Sequence, residues 1–136
     1  MTAPLRLLFV CVENSNRSQM AEAFARIEGG DRVEAQSAGS RPSGRVNPRA
    51  IRSMAELDYD LSAHRSISVD EAGDGPFDAV VTMGCGDACP SVPATLREDW
   101  PIPDPREMEP DDFRVVRDGI RERVVDLIDR LSATQA

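Results

Sequence analysis

The chain has 136 residues, enough to bury one core of ordinary size and too few for several, so a single domain over residues 1–136 is expected. Its formal net charge of −8 works against a nucleic-acid or anionic-membrane partner, because those surfaces need a basic patch. The longest apolar run near the start, Leu7 to Val12, is too short to span a bilayer and lacks the basic leader and cleavage pattern of an export signal, so a soluble cytoplasmic protein is expected.

Leu5 to Val10 is a continuous apolar and β-branched run, the pattern of a strand buried on both faces, and it ends at Cys11. Ser18 opens a helix with Met20, Phe24 and Ile27 on one face, and Gly29-Gly30 terminates it. Val33 to Ala38 reads as a second strand, closed by Gly39 and a Pro/Ser/Gly loop. Asn47-Pro48 reads as an N-cap followed by proline at the first helical position, predicting a second helix through about Leu57. Phe77 to Met83 is a third apolar strand with Gly84 to Pro90 as its loop, and a weaker fourth strand is predicted near Glu98 to Ile102. From Asp111 or Asp112 onward, Phe113, Val116, Ile120, Val124, Leu127 and Leu131 recur at spacings of three and four, the strongest helical signal in the chain. Strands alternating with amphipathic helices predict an α/β domain with a mainly parallel sheet. Such sheets bind ligands beyond the strands' carboxyl ends, where Cys11, Gly84 and Asp104 are expected to lie.

The segment Cys11-Val12-Glu13-Asn14-Ser15-Asn16-Arg17-Ser18 has the form C-x5-R-S between a buried strand and a helix start. A loop wrapping from strand end to helix N-terminus can turn successive backbone N–H groups inward, making a nest for a tetrahedral anion at the positive end of the helix dipole. Arg17 would close that cup with a two-pronged contact to two oxygens. The same field favours the thiolate form of Cys11, a nucleophile, and Ser18 can donate its hydroxyl to the sulfur. Asn14 is a residue type that tolerates an unusual backbone conformation and can lock the loop through its side chain. All sixteen basic residues are arginine, the better side chain for bidentate oxyanion binding, though source composition explains the bias equally well. Three cysteines, an odd number at irregular spacing, argue against a secreted disulfide framework and for thiols kept in a reducing compartment.

The stretch Phe9 to Ala23 resembles the arsenate reductases built on the low-molecular-weight protein tyrosine phosphatase fold. Counterparts extend along nearly the whole chain: Ser37-Ala38-Gly39, Asp60-Leu61-Ser62 with His64-Arg65, Val80 to Pro90, Asp99-Trp100, Asp104-Pro105 and Arg117-Asp118. The resemblance implies one three-layer domain with a four-stranded parallel sheet flanked by helices. It implies Cys11 as nucleophile, Val12 to Ser18 as the oxyanion-binding loop with Arg17 as clamp, and Asp104 as general acid. The implied ligand is arsenate, with phosphate or sulfate as mimics.

Arsenate and phosphotyrosine chemistry begin alike, with sulfur attacking a tetrahedral centre while an acid protonates the leaving oxygen. Ser18 is followed by Gln19-Met20-Ala21-Glu22, as in the reductases, where the phosphatases usually have proline. Asp104-Pro105 is followed by Arg106-Glu107, whereas the phosphatases carry two tyrosines there, and Tyr59 is the only tyrosine of this chain. A phosphatase needs no further thiol. Arsenate reduction does, because a second sulfur must attack Cys11 for arsenic to leave as arsenite with two electrons.

Cys89, followed by Pro90, matches the resolving region of the reductases, and Cys85 lies four residues before it. A helical turn would bring the two within disulfide reach. A metal site is the competing reading of C-x3-C, but His64 is the only histidine and ligands are short; no metal and no bound cofactor are expected. Thioredoxin-linked reductases have a cysteine where this chain has Gly84. The Gly-Cys-Gly-Asp-x-Cys-Pro form is more similar to reductases that use a small thiol such as mycothiol or bacillithiol with a glutaredoxin-like redoxin. Cys89, Cys85 or an external thiol remain alternatives for the resolving attack. Asn14, Glu22 and Ser37 match three potassium-holding positions of the thioredoxin-linked enzymes, but Ile67 falls near the fourth, an Asp, so no cation is expected. Glu13 puts a carboxylate in the anion loop, which opposes a dianion unless its side chain points outward. A phosphatase and a non-catalytic oxyanion or redox sensor stay as alternative functions.

Overall fold

The computed structural model describes residues 3–72, 75–84 and 92–135. Four strands, β1 (Leu5–Cys11), β2 (Val33–Gly39), β3 (Phe77–Thr82) and β4 (Ala94–Asp99), form one sheet in the order β2-β1-β3-β4. Every neighbouring pair is parallel, and Cys11 stands opposite Gly39 at the carboxyl edge. Three α-helices follow the strands: α1 (Arg17–Gly29), α2 (Pro48–Ala55) and α3 (Pro110–Gln135).

The continuous apolar run of β1 follows from burial on both faces. Leu5, Leu7, Phe9 and Cys11 pack in a cluster with Met20, Phe24, Ile120, Val124, Leu127 and Ile128 from α1 and α3. Leu8 and Val10 point the other way, into a second cluster with Ala38, Ala72, Phe77, Val80 and Val92. The sheet is thus flanked by helices, with α1 and α3 on one face and the 3-10 turn Val69–Ala72 contributing to the other.

α2 has the expected start. Asn47 Oδ1 accepts from Arg49 N at 2.8 Å and Pro48 follows at the first helical position, but regular structure stops at Ala55 rather than Leu57. α3 begins at Pro110, with Asp111 and Asp112 in its first turn where the helix dipole favours negative charge.

Two expectations need correction. Ile27, placed on the inner face of α1 with Met20 and Phe24, is 44% exposed. The last turn of α1 approaches β2 and α3 through Gly29, where a β-carbon would fall 1.7 Å from Val33 Cγ2, so Ile27 is left outward. The fourth strand is Ala94–Asp99, not Glu98 to Ile102. Pro101 and Pro103 cannot donate to a ladder, and the edge strand before them carries only two apolar side chains, Leu96 packed on the first cluster and Ala94 on the second. Trp100 and Ile102 are buried beyond the strand's end, with Trp100 tilted against Phe9 at 6.0 Å between ring centroids.

Candidate active site

Cys11, the last residue of β1, is 2% exposed, and five residues lead from it to the start of α1. The carbonyls of that turn all bond away from its centre. Cys11 O accepts from Ser40 N (3.2 Å), Val12 O from Arg41 N (2.8 Å), Glu13 O from Ser43 N (3.0 Å) and Ser15 O from Asn47 N (3.1 Å). Asn14 O accepts from Gln19 Nε2 at 3.0 Å. In a planar trans peptide the following N–H points opposite to the carbonyl. The N–H groups of Val12, Glu13, Asn14, Ser15 and Asn16 are therefore directed away from these partners, the orientation that an anion nest requires.

Asn14 has φ 52°, in the left-handed region. Its fully buried side chain holds that conformation: Oδ1 accepts from Ile67 N at 2.9 Å, and Nδ2 donates to Ser18 Oγ at 2.8 Å. Ser18 Oγ lies 2.9 Å from Cys11 Sγ. Because the hydroxyl oxygen already accepts from Asn14, its proton is free to point at the sulfur, which stabilises negative charge there. Asn14 and Ser18 thus act from beneath the cup.

Above Cys11 a cavity of ≈ 380 Å³ is lined by Cys11, Val12, Glu13, Ser15, Asn16, Arg17, Arg41, Asp104 and Arg106. Arg17 Nη1 donates to Ile102 O at 3.0 Å, so the guanidinium also touches the segment that carries Asp104. Gly84 sits beneath that guanidinium. Glu13 points to the rim, where Oε2 meets Arg106 Nη1 at 2.9 Å, so its carboxylate is paired rather than bare in the cup. Asp104 Oδ1 accepts from Arg106 N at 3.1 Å.

A second layer braces the loop from behind. Gln19, fully buried, donates to Asn14 O and to Arg65 O (2.9 Å), and its Oε1 lies 2.9 Å from His64 Nδ1. His64 Nε2 is 2.6 Å from Tyr59 OH. Burial pushes the His64 pKa down, while Glu22, 3.6 Å away, pulls the other way. A neutral imidazole fits both contacts, with Nδ1–H donating to Gln19 and Nε2 accepting from Tyr59. Glu22 is held by Ser37 Oγ at 2.6 Å and by Arg26 Nη2 at 2.8 Å. Among the described residues no group of three or more His, Cys, Asp or Glu side chains could hold a metal ion.

The structure thus gathers Cys11, Val12, Glu13, Ser15, Asn16, Arg17 and Asp104 around one cavity, whereas Asn14 and Ser18, expected in the anion-binding set, are fully buried and do not line it. Cys85 and Cys89 lie outside the described residues. Sequence reasoning gave no role to Arg41, Arg106 or Gln19. Arg106 was within reach, two residues after Asp104, whereas the contacts of Arg41 and Gln19 depend on loops distant in the chain.

The family described as low molecular weight phosphotyrosine protein phosphatase matches residues 6–136. A glutaredoxin arsenate reductase of Synechocystis sp. is 38% identical over 130 residues, covering 93% of this chain and 98% of that protein. A solved structure of an arsenate reductase in the phosphate binding state superimposes with a TM-score of 0.86 at 35% identity, over 93% of this chain and 98% of that one. A thioredoxin-dependent arsenate reductase of Corynebacterium glutamicum gives a TM-score of 0.79 at 29% identity, over 98% of this chain and 65% of that one.

Proposed function

Since this chain belongs to the low molecular weight phosphotyrosine protein phosphatase family, with arsenate reductases among its relatives, we propose that it reduces arsenate to arsenite with electrons from an external thiol. The observation that carries the reading is the sulfur itself. Cys11 Sγ is hydrogen-bonded to a serine hydroxyl whose oxygen is already committed to Asn14, beside a cavity lined by Val12, Glu13, Ser15, Asn16 and Arg17.

In the proposed first step Cys11 attacks arsenic, one arsenic–oxygen bond breaks, and Asp104 protonates the departing oxygen so that it leaves as water. Arg17 and the amides of Val12 to Asn16 hold the remaining oxygens. A second thiol then attacks Cys11 Sγ. A sulfur–sulfur bond forms, the sulfur–arsenic bond breaks, and its electron pair leaves with arsenic, which becomes arsenite. Cys89 or Cys85 of this chain, or an external small thiol, supplies that attack, and a redoxin returns the disulfide to thiols. The similar proteins include a glutaredoxin arsenate reductase and a thioredoxin-dependent arsenate reductase, so both classes of reductant belong in the test. Asp104 is suited to its role by position. It lines the same cavity as Cys11, and Pro105 after it favours extended backbone.

The test mixes purified protein with arsenate and, separately, a thioredoxin system or a small thiol with glutaredoxin, following arsenite and reductant oxidation. Cys11→Ser is expected to abolish turnover, and Cys85→Ser and Cys89→Ser assign the resolving thiol. Full turnover by Cys11→Ser would sink the mechanism. Aryl phosphate hydrolysis without reductant, together with no arsenite at all, would make the protein a phosphatase instead.

A further inference from the structure

We infer that Glu13 is a positioning residue that acts through Arg106, strapping the segment with Asp104 over the anion loop; the inference rests on the proposed thiolate chemistry at Cys11. The starting point is an oddity of charge. A carboxylate in a loop built to receive an anion weakens binding by repulsion, so a structural use for it should be visible. Glu13 Oε2 meets Arg106 Nη1 at 2.9 Å, across 93 positions of sequence.

Arg106 is tied directly to the proposed acid. Its backbone N–H bonds Asp104 Oδ1 at 3.1 Å, and its Nε lies 3.7 Å from Asp104 Oδ2. From Pro101 to Glu109 the backbone has neither helix nor strand to fix it. Apart from bonds to its flanking residues Trp100 and Phe113, its hydrogen-bonded attachments to the rest of the described chain are three. Arg17 bonds Ile102 O, Arg49 bonds Arg106 O, and Glu13 bonds the Arg106 side chain. The first two grip carbonyls, and Arg17 is the group expected to turn toward an incoming anion. Glu13 alone links the rim of the loop to the side chain of the residue that contacts both oxygens of Asp104, through its backbone N–H and its Nε.

Exposed ion pairs contribute little to global stability, and Glu13 and Arg106 have side chains 39% and 52% exposed. The strap is therefore local. Its effect belongs in the chemical step, where an ångström of misplacement costs on the order of a hundredfold in rate.

The two accounts of Glu13 differ in sign. A carboxylate that only repels the substrate would, once removed, lower KM and leave kcat intact. A positioning carboxylate lowers kcat when removed, whatever KM does. Steady-state arsenate turnover is measured for the wild type, Glu13→Ala, Arg106→Ala and the double variant. Each single variant is expected to lose about tenfold in kcat, the double variant no more than either, and Glu13→Asp to recover part of the loss. Hydrogen exchange across residues 100–109 is expected to quicken equally in both single variants without further gain in the double. If Glu13→Ala keeps wild-type kcat, or the two losses multiply, the strap is refuted. If the wild type does not reduce arsenate, the functional reading fails separately, and unchanged exchange in Glu13→Ala then refutes the strap by itself.

Discussion

Gly84 has φ 78°, and a β-carbon built there would lie 2.6 Å from Arg17 Nη1. Two separate demands fall on this residue, a left-handed backbone and room for a guanidinium, and only glycine meets both without strain. Gly84→Ala is expected to cost about 1 kcal/mol of stability from the backbone and to displace the far end of Arg17. The displacement matters more, because a bidentate clamp depends on its angle to the anion. Titration with inorganic phosphate should show affinity reduced about tenfold while the fold, read by circular dichroism, persists. Wild-type phosphate affinity in Gly84→Ala would show that Arg17 does not need that path. Asn14 makes the complementary case, since its φ of 52° suits asparagine and is held by bonds at both ends of its amide.

At the level of elements, the strand-to-helix turn after Cys11 was legible because strand, C-x5-R-S and helix coincide within Leu5 to Gly29, a purely local pattern. β4 was not, because an edge strand with alternating exposure carries few apolar residues, whereas the buried Trp100 and Ile102 lie just beyond its end. The brace behind the loop was illegible for a different reason. Tyr59, His64, Gln19 and Asn14 O come together from separate segments, and nothing in their spacing announces a relay.

That relay predicts a pH dependence of stability. His64 has its pKa lowered first by burial, so between that value and about 6.5 the unfolded chain binds a proton that the folded chain does not. Stability then falls as pH drops through this window and is fully retained above it. Urea denaturation at pH 7.5 and pH 5.5 should show a larger loss on acidification for the wild type than for His64→Gln, which has no proton to take up. Equal losses would mean that His64 is not held neutral. Glu56 acts in a lower range. Hydrogen bonds from Arg114 and then Arg117 bring its pKa to about 2. The α2–α3 link it makes with those two arginines is present above about 4.5 and fades as pH falls toward 2.

Over the whole molecule the net charge of −8 and the proposed anion site look contradictory until charge is located along the chain. From Gly39 to Ala55 there are four arginines, at 41, 45, 49 and 52, and no acidic residue. This stretch supplies the backbone donors that hold the anion loop, at Ser40, Arg41, Ser43 and Asn47, and Arg41 lines the cavity. None of the four forms an ion pair among the described residues, whereas Arg26, Arg114, Arg117, Arg121 and Arg130 are each paired with a carboxylate elsewhere. Apart from Asp104 and Glu13, the latter paired with Arg106, the acidic residues do not line the cavity, and an approaching anion would meet the unneutralised guanidinium group of Arg41. Its pull is screened over about 10 Å at 0.1 M salt. Raising sodium chloride from about 0.02 to 0.2 M at constant pH should increase the KM for arsenate several-fold with kcat unmoved, and Arg41→Ala should start from a higher KM and respond less steeply. A KM that falls with salt would mean that the carboxylates of the whole chain, rather than this flank, govern what the anion feels on its way in.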